Sequence, residues 1–396
     1  MADYSEIHRC RGCHAERGDM ETVMTMDPMP LAGQFCKRRD DALAAKRFPL
    51  TWVFCRHCGL VQVAEDVSGE NLFETYNYAS STVGGLVRHF EGFSRFLQQQ
   101  HSDSPDLSFL EIGCNDGVLL NRLPDNWNKL GVDPSDVASR ASAENEGYDL
   151  VSAPFTAELV RERGWVERWD VVSGSNCLAH ISDLRDVFAG VYEALKLGGW
   201  FWIEVHDLDA LLQGSQWDTI YHEHKVEWSG GSLKRCVELC GFRLNHEERT
   251  PLHGGALRFG FRKTGAPVAL EDGGLMVACG LAELADAYRN RGEVPAVSEL
   301  LAAKQAGARI AAYGAAGRAN VYLNQMRPLA FEFIVDEAPL RMNHFIPSVG
   351  TPIVPPSQLI VDQPDYCLIT AWNYRDDIIA KNPEYRGKWL TAFPVN

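Results

Sequence analysis

The segment 216–224 contains a high density of side chains that can transfer or hold protons. It ends in four consecutive candidates, Tyr221, His222, Glu223 and His224. A neutral histidine, with a reference pKa of about 6.5, is a suitable base for removing a proton beside a carbonyl group. A zinc-protease motif would need a second histidine four residues after His222, but Val226 stands there. The segment therefore predicts acid–base chemistry, such as removal of a proton from a carbon atom beside a carbonyl group.

Three further side chains are candidates for the same site. His180 follows a predicted strand at residues 170–176, and open α/β sheets bind ligands at the carboxyl ends of their strands. Tyr76 and Tyr78, in Tyr-Asn-Tyr-Ala-Ser-Ser, are expected to fold over that edge as a lid. A structural histidine and core-packed tyrosines are the alternatives.

The segment 107–117 predicts a strand that enters a glycine-lined turn, Gly-Cys-Asn-Asp-Gly, and then a helix beginning at Val118. The next predicted strand, 129–132, ends in an acidic residue. Glycines let the backbone approach a ligand, and an acid at that strand tip can accept both hydroxyls of a ribose. The predicted cofactor-binding residues are Glu111, Gly113, Asn115, Asp116, Gly117, Asp133 and Asn176.

The composition of this turn favours S-adenosylmethionine over a dinucleotide. The full G-x-G-x-x-G pattern is missing, and Asn115 and Asp116 stand where a pyrophosphate prefers uncharged backbone donors. S-adenosylmethionine has a ribose and a cationic amino-acid tail, which suit these side chains. A tight strand–helix corner that binds nothing is the alternative.

Two Cys-x2-Cys pairs near the N-terminus predict a metal site. A tight turn at each pair aims two sulfurs at one ion, and two such turns form the four-thiolate cage that suits zinc. Four thiolates leave no open coordination position, so the predicted zinc is structural. A hairpin is expected to fill the 41 residues between the pairs, and His14, His57 and Cys36 are rival ligands. The predicted ligands are Cys10, Cys13, Cys55 and Cys58.

Composition and charge limit the compartment and the partners. The 396 residues favour two or three domains, and the eleven cysteines, an odd number, favour a reducing compartment over a disulfide framework. No secretory signal or apolar span is visible, so a cytoplasmic location is expected. The net charge of −15 opposes binding to nucleic acid or to an anionic membrane.

The elements that must position these residues suggest three units. Residues 1–72 form the predicted zinc-binding domain, and 73–265 the α/β domain, with strand five after the double glycine at 198–199. A helix is expected to continue into residues 195–197, and a final antiparallel pair is expected at 242–249 and 256–262. Residues 266–396 predict a smaller Rossmann-like unit, in which strand 309–314 enters a glycine-rich turn.

With these motifs the sequence resembles the sugar C3-methyltransferases of deoxysugar biosynthesis over essentially the whole chain. The resemblance implies an α/β fold in which a class I methyltransferase doubly wound sheet joins a small N-terminal zinc-binding domain and a C-terminal Rossmann-like domain. It is carried by the four cysteines, Tyr76-x-Tyr78, Glu111-Ile112-Gly113-x-Asn115-Asp116-Gly117, Ala179-His180-Ile181, Tyr221-His222-Glu223-His224, His253-Gly254-Gly255, Tyr313-Gly314-Ala315-Ala316-Gly317-Arg318, Val335-Asp336-Glu337 and Ala371-Trp372-Asn373.

The resemblance also implies the roles of the candidate residues. His224 would remove the proton at C3 of a nucleotide-linked 4-keto-deoxysugar, with Tyr221 and Glu223 beside it and Tyr76 and His180 at the sugar or its ketone. The resulting enolate would take a methyl group from S-adenosylmethionine. The C-terminal unit would hold the nucleotide diphosphate, usually thymidine diphosphate, although a purely structural glycine corner is the alternative. The substrate-binding candidates are Tyr78, His222, His253, Tyr313, Gly314, Gly317, Arg318, Asp336 and Asn373.

One departure and two alternative functions stay open. Where the family commonly has two aromatic residues before the serine that follows the Tyr-His-Glu-His motif, this chain has Glu227 and Trp228 before Ser229. An acid there bears on the identity of the sugar more than on the reaction type. The alternatives are a nicotinamide-dependent nucleotide-sugar dehydrogenase or epimerase, and a non-catalytic zinc-ribbon interaction protein.

Overall fold

The computed structural model describes most of the chain, namely residues 4–67, 79–82, 84–104, 106–144, 147–265, 277–326 and 329–393. The predicted lid residues Tyr76 and Tyr78 lie outside these ranges, as do the residues that flank the expected boundary between domains at 72 and 73. None of the helices in the described ranges combines the length and the apolar composition that a bilayer crossing requires.

The N-terminal unit is built on an antiparallel sheet in the order β11-β4-β3-β2. The long β2–β3 hairpin occupies the stretch between the two cysteine pairs, as expected from their spacing. The edge strand β11 (Val226–Glu227) comes from the segment after the Tyr-His-Glu-His motif and pairs with β4. The other elements are β1 (Tyr4–Glu6), β2 (Met20–Met29), α1 (Arg39–Leu43), β3 (Phe48–Cys55), β4 (Val61–Val63) and β5 (Glu65–Val67).

The middle unit is a seven-stranded sheet in the order β12-β13-β10-β9-β6-β7-β8, in which only β13 runs antiparallel to its neighbours β10 and β12. Its strands are β6 (Ser108–Ile112), β7 (Asn128–Val132), β8 (Asp149–Val151), β9 (Trp169–Ser175), β10 (Leu195–His206), β12 (Phe242–Thr250) and β13 (Ala256–Lys263). Its helices are α2 (Gly84–Gln100), α3 (Asp136–Ala143), α4 (Ala157–Glu162), α5 (Leu184–Ala194), α6 (Leu208–Gln213) and α7 (Gly230–Glu238).

Two local expectations for this sheet are wrong. The predicted helix at Val118 is absent, and turns lead instead to a single 3-10 turn, Leu120–Arg122. Pro124 explains this, because it disfavours helical backbone at the residue before it and stops a helix from extending. Leu195 belongs to β10 and pairs with Trp169, so the double glycine forms an irregularity inside the strand rather than a turn before it.

The C-terminal unit is a five-stranded parallel sheet in the order β16-β15-β14-β17-β18. This order reverses at β14, the strand that enters the glycine-rich turn. Its strands are β14 (Ile310–Tyr313), β15 (Ile334–Val335), β16 (Ile353–Val354), β17 (Tyr366–Ile369) and β18 (Lys388–Thr391). Its helices are α8 (Val277–Arg289), α9 (Pro295–Gln305), α10 (Gly317–Gln325), α11 (Pro356–Asp362) and α12 (Arg375–Lys381).

The three units meet around the segment 216–229. Val226 and Glu227 complete the N-terminal sheet through their pairing with Gln62 and Val61. On the other side, the backbone N–H of Lys225 donates to Ala179 of the middle unit over 2.7 Å. A single hydrophobic cluster contains Met24, Leu208 and Tyr322, one residue from each unit. The segment that carries the proposed chemistry is therefore held from three directions.

Candidate active site and metal centre

His224 is a buried imidazole with both ring nitrogens occupied. Its Nδ1 lies 3.0 Å from the carbonyl oxygen of Thr219, and its Nε2 lies 2.7 Å from the hydroxyl oxygen of Tyr221. Because a carbonyl only accepts, Nδ1 carries the proton, and the Tyr221 hydroxyl donates to the lone pair of Nε2. Burial, followed by the neighbouring His180 and His206, lowers the pKa of His224 well below its ordinary value. The ring is therefore a neutral base with its lone pair at Nε2.

Two more histidines surround this base. The rings of His180 and His206 each lie with their centroids 5.1 Å from that of His224. His180 follows β9 and His206 ends β10, so the ends of two adjacent strands supply them. The Nδ1 of His180 lies 2.7 Å from the carbonyl oxygen of Glu223, which assigns the proton to that nitrogen. Burial lowers the pKa of His180, so this ring is also neutral.

Glu223 and His222 face the N-terminal unit. Glu223 Oε1 accepts the backbone N–H of Gly33 over 2.9 Å, and burial raises the pKa of Glu223 to about 7. His222 is fully buried, with Nε2 2.8 Å from the carbonyl oxygen of Pro49 and its ring against Phe48. The structure thus brings Tyr221, His224 and His180 together, whereas His222 packs against β3 instead of joining them.

The glycine-lined turn after β6 packs against the segment that leads to His180. Gly113 adopts φ +67°, and a Cβ there would collide with Cys177, which stands three residues before His180. A backbone N–H from Asn115 donates to Asp133 Oδ2 over 2.9 Å, and that of Ser135 donates to Oδ1 over 2.8 Å. The acid predicted at the strand tip therefore supports the turn itself. A Cβ at Gly117 would likewise collide with Tyr148, so packing within the protein demands glycine at both predicted positions.

The side chains of the turn are also engaged with the protein. Asn115 Oδ1 accepts the backbone N–H of Ser80 over 2.9 Å, and Asp116 Oδ2 accepts that of Ser81 over 2.8 Å. These two residues therefore fasten the segment 79–82, which directly follows the predicted lid motif, to the turn.

The turn nevertheless has unsatisfied acceptor atoms of the kind that a cationic ligand requires. Glu111 is buried, and its Oε2 has no hydrogen-bond partner; the same is true of Asp116 Oδ1 and Asn176 Oδ1. Burial and the acidic neighbours Asp133, Asp116 and Glu204 raise the pKa of Glu111 well above its ordinary value. These orphaned atoms are all acceptors. They match an ammonium group, a sulfonium centre and ribose hydroxyls, and so fit S-adenosylmethionine.

The four predicted metal ligands converge on one point. The sulfurs of Cys10 and Cys58 lie 3.5 Å apart, those of Cys13 and Cys55 lie 3.7 Å apart, and all four fall within 4.8 Å of one another. A tetrahedral zinc ion with Zn–S bonds of about 2.3 Å sets sulfurs about 3.8 Å apart. The four-thiolate geometry therefore fits zinc.

Both cysteine pairs form the same turn. Cys10 accepts a backbone hydrogen bond from His14 and donates one to Ala15, while Cys55 accepts one from Gly59 and donates one to Leu60. The rival ligands lie elsewhere, because His14 faces Asp183, His57 faces Asp19, and the Cys36 thiol donates to the carbonyl of Gln34.

The C-terminal glycine turn approaches the proposed base from another side. A Cβ on Gly317, the first residue of α10, would stand 3.0 Å from the Tyr221 hydroxyl oxygen. Gly314 has φ +109°, and a Cβ there would crowd Ala371. Asp336 accepts the backbone N–H groups of Ala315 and Ala338, each over 2.8 Å, which repeats the arrangement at Asp133. Unlike Asp133, it also pairs with Arg341 over 3.0 Å.

Besides His222 and Asp336, three more of the predicted substrate-binding side chains are engaged within the protein. The guanidinium of Arg318 donates to both carboxylate oxygens of buried Asp218, over 2.7 and 3.2 Å, and stacks on Trp372. Tyr313 donates to Glu337 over 3.0 Å. Asn373 hydrogen-bonds to Tyr374 through its side chain. The side chain of His253 lies outside the described part of the chain.

Four residues of this site were given no role from the sequence, namely Asp218, Trp372, His206 and Glu227. The Nε1 of Trp372 donates to Asp218 Oδ2 over 3.2 Å. The signal for His206 was its place at the end of the predicted strand after the double glycine, equivalent to that of His180 after the predicted strand at residues 170–176. Glu227 was noted as an unusual acid, but its distance of 3.7 Å from His224 Nδ1 could only be seen in three dimensions.

Three family models match consecutive parts of the chain. Residues 10–73 match a model described as "Putative zinc binding domain", and residues 87–247 match "Methyltransferase domain". Residues 286–394 match "C-methyltransferase C-terminal domain". The C-methyltransferase NovU of Streptomyces niveus is 30% identical over 414 residues, which cover 98% of this chain and 96% of that protein.

Solved structures resemble parts of the chain less closely. The 1,6-didemethyltoxoflavin-N1-methyltransferase of Burkholderia thailandensis, with bound S-adenosylhomocysteine, is 20% identical over 45% of this chain and 78% of its own, with a TM-score of 0.35. Protein PH0226 of Pyrococcus horikoshii is 18% identical over 48% of this chain and 95% of its own, with a TM-score of 0.40. Both TM-scores are too low to support an inference about this chain.

Proposed function

The chain belongs to the C-methyltransferase family that includes the Streptomyces niveus protein, and from this premise we propose that it methylates C3 of a nucleotide-linked 4-keto-deoxysugar. It is an S-adenosylmethionine-dependent enzyme with a four-cysteine zinc centre. The proposed nucleotide is thymidine diphosphate. The proposed domains are residues 1–72, 73–265 and 266–396.

One observation carries the proposal: a neutral buried imidazole stands among polar groups at the carboxyl edge of the sheet. Carbon is not nucleophilic until it loses a proton, so a C-methyltransferase needs a base beside an activating carbonyl. His224 Nε2 has a lone pair, and its Nδ1–H is held by Thr219. His180, 5.1 Å away between ring centroids, also keeps its proton on Nδ1 and is suited to contact the sugar.

The proposed proton movement begins at the Tyr221–His224 hydrogen bond. As the sugar enters, the Tyr221 hydroxyl turns from Nε2 toward the ketone oxygen, which frees the lone pair. His224 Nε2 then takes the C3 proton, and the electron pair of that C–H bond becomes the enolate. A hydroxyl aimed at the oxygen stabilises the charge that develops there. Positioned acid–base help of this kind contributes about 10²- to 10⁴-fold in rate.

The methyl donor supplies an electrophilic methyl group when it is bound. Glu111 would hold its amino-acid tail, because this buried carboxyl lacks a partner on one oxygen. Asp133 would accept the ribose hydroxyls with the lone pairs that remain beyond its two backbone bonds. Gly113 and Gly117 shape the turn.

The nucleotide diphosphate is proposed to lie near the turn 314–317. The first turn of α10 has no side-chain cap, so its backbone N–H groups suit an anion. Arg318, with its charge shared with Asp218, would support this turn instead of gripping phosphate alone. Tyr76, Tyr78, Glu223, His253, Tyr313, Asp336 and Asn373 keep the roles predicted from the sequence, whereas His222, which packs against β3, is not proposed to contact the substrate.

The test is incubation of the purified protein with S-adenosylmethionine and a panel of nucleotide-linked 4-keto-deoxysugars, read by mass for a gain of one methylene unit. Thymidine, uridine and guanosine diphosphate forms of one sugar separate the choice of nucleotide from the choice of sugar. Methylation at C3 of the thymidine form, lost with His224→Gln, is expected. Methyl transfer to every sugar tested at an oxygen, or none to any 4-keto-sugar, would contradict the proposal.

A further inference from the structure

Glu227 is a buried acid whose carboxylate has no hydrogen-bond partner. Its residue is 1% exposed, and neither Oε1 nor Oε2 meets a donor. Oε1 lies 3.7 Å from Nδ1 of His224. His206 completes this group, because ligand atoms of all three side chains lie within 4.8 Å of one another. An acid in this position faces the proposed base from the side opposite Tyr221.

The backbone gives Glu227 little freedom to leave this position. Its residue pairs with Val61 in the N-terminal sheet, and the adjacent Trp228 bridges to Asp207 beyond the end of β10. Burying a carboxyl without a partner is costly, and an uncharged side chain would avoid that cost. Burial accordingly raises the pKa of Glu227 to about 8. A costly acid held rigidly beside the base points to a use in the reaction.

We propose that Glu227 is a positioning residue that supplies the negative partner for His224 once this histidine has taken the substrate proton. The inference rests on the proposed function, because it requires His224 to be the base. The carboxylate lies beside the Nδ1 edge of the His224 ring, away from Tyr221, and forms no covalent bond. The proton moves from C3 to His224 Nε2, the electron pair stays on the sugar, and Glu227 gains a cation 3.7 Å away.

The electrostatics of the pocket leave few other groups for this role. The Nδ1–H of His224 is donated to the carbonyl oxygen of Thr219. Because that carbonyl carries no negative charge, it cannot serve as the counter-ion of the imidazolium. Arg318 and Asp218 also act on Glu227, in opposite directions, but they are paired with each other. The residues facing Glu227 across the β11–β4 ladder, Val61 and Gln62, carry no charge. His206 and His180 are the remaining titratable neighbours of the base.

The expected consequence is a rate that depends on the ionisation of Glu227. Below pH 8 the carboxyl is increasingly protonated and gives His224 no counter-charge; above pH 8 it is a carboxylate. An opposite charge within about 4–6 Å raises the pKa of a cation by about 1–3 units, and so strengthens the base. In the wild-type protein, kcat should rise with pH through this range.

The experiment compares kcat of the wild-type and Glu227→Gln proteins from pH 6 to 9.5, with the full chain and the sugar accepted in the panel. The ratio of wild type to variant should be near 1 at pH 6 and grow to about 10 at pH 9.5. Glu227→Asp should keep the rising limb. Glu247→Gln, which removes an exposed carboxylate on β12, is the matched control and should leave the ratio flat. A pH-independent ratio for Glu227→Gln would overturn the inference.

A second readout does not depend on the substrate. Infrared difference spectra of the full-length protein between pH 6 and 9.5 should show a protonated carboxylic acid that disappears with rising pH, is absent in Glu227→Gln and is retained in Glu223→Gln, which removes another carboxyl that titrates in this range. If no sugar is methylated but this band is present, the proposed function fails, whereas the statement that Glu227 is a buried, protonated carboxyl at pH 6 is supported. If methylation proceeds but the band is missing, the inference fails. It also fails if the wild-type protein holds a second divalent ion that Glu227→Gln loses, because Glu227 would then be a metal ligand.

Discussion

Replacing Asp218 with asparagine should loosen the junction between the C-terminal unit and the segment that carries His224. Asp218 is completely buried, and its carboxylate accepts from Arg318 Nη2 at 2.7 Å, Arg318 Nε at 3.2 Å and Trp372 Nε1 at 3.2 Å. Asparagine keeps one acceptor oxygen but turns an N–H group toward the guanidinium. The perturbation therefore removes the charge and sets donors against donors.

The magnitude follows from the burial of the pair. Breaking a buried ion pair by removing one partner costs about 3–5 kcal/mol, because the other charge is left without compensation. The side chain of Arg318 is 17% exposed, which lets water recover part of that cost. We therefore expect a loss of about 2–4 kcal/mol in the free energy of unfolding of this junction. A fall of about tenfold or more in kcat should accompany it, because Tyr221 follows Asp218 by three residues.

The assay is urea unfolding followed by tryptophan fluorescence, to which Trp372, in contact with Arg318, contributes together with the nine other tryptophans of the chain. The single variants Asp218→Asn and Arg318→Gln and the double variant form a cycle that isolates the coupling between the two side chains. Glu332→Gln is the matched control: its pair with Arg309 has a similar distance of 2.8 Å, but the side chains are 35% and 46% exposed. That variant should lose at most about 1 kcal/mol. A coupling energy near zero for Asp218 and Arg318 would refute the reasoning.

Three other variants test separate parts of the structure. Cys58→Ser should lower the zinc content from one ion per chain toward zero and lower the midpoint of thermal unfolding, as read by elemental analysis and calorimetry; full zinc retention would contradict the four-thiolate site. Glu223→Gln keeps an acceptor for Gly33 but cannot ionise. Because burial raises the pKa of Glu223 to about 7, the wild-type protein loses stability as pH rises from the ordinary range of a glutamate to about 7. The variant should therefore gain about 1–3 kcal/mol relative to wild type at pH 8.5 but not at pH 4, and an equal difference at both pH values would count against this. Gly317→Ala should displace the Tyr221 hydroxyl, 3.0 Å from the new methyl group, and reduce kcat about tenfold while the unfolding midpoint stays unchanged; unchanged kcat would exclude the close approach as a requirement.

Much of the fold could be predicted because its signals are local. The strand that enters the turn at Gly113 and the strand that ends in Asp133 are short apolar runs followed by turn residues, and both are confirmed. The class I methyltransferase sheet and the C-terminal Rossmann-like sheet follow from such runs. The four cysteines could be identified for the same reason, since two residues between thiols form one tight turn. Helix and strand boundaries near Val118 and Leu195 were wrong where a proline or a pair of neighbouring glycines outweighed the apolar pattern.

The arrangement of the site could not be predicted because its contacts join distant parts of the chain. Arg318 and Asp218 are 100 residues apart, and Glu227 pairs with Val61 across an even longer separation. The pattern of apolar residues along the sequence carries no information about such contacts. The resemblance to a family implied a phosphate contact for Arg318 and a substrate contact for His222. The structure instead shows one side chain paired with a buried aspartate and the other packed on β3.

The most direct test of the central idea, that His224 removes the sugar proton, is exchange of that proton with solvent. The full-length protein is incubated in deuterium oxide with S-adenosylhomocysteine and the thymidine-diphosphate-linked 4-keto-deoxysugar, so that deprotonation can occur without methyl transfer. Deuterium should enter at C3 with the wild-type protein and at a rate lower by about 10²-fold or more with His224→Gln. Wild-type exchange by the His224→Gln protein, with its zinc content intact, would contradict the assignment of this histidine as the base.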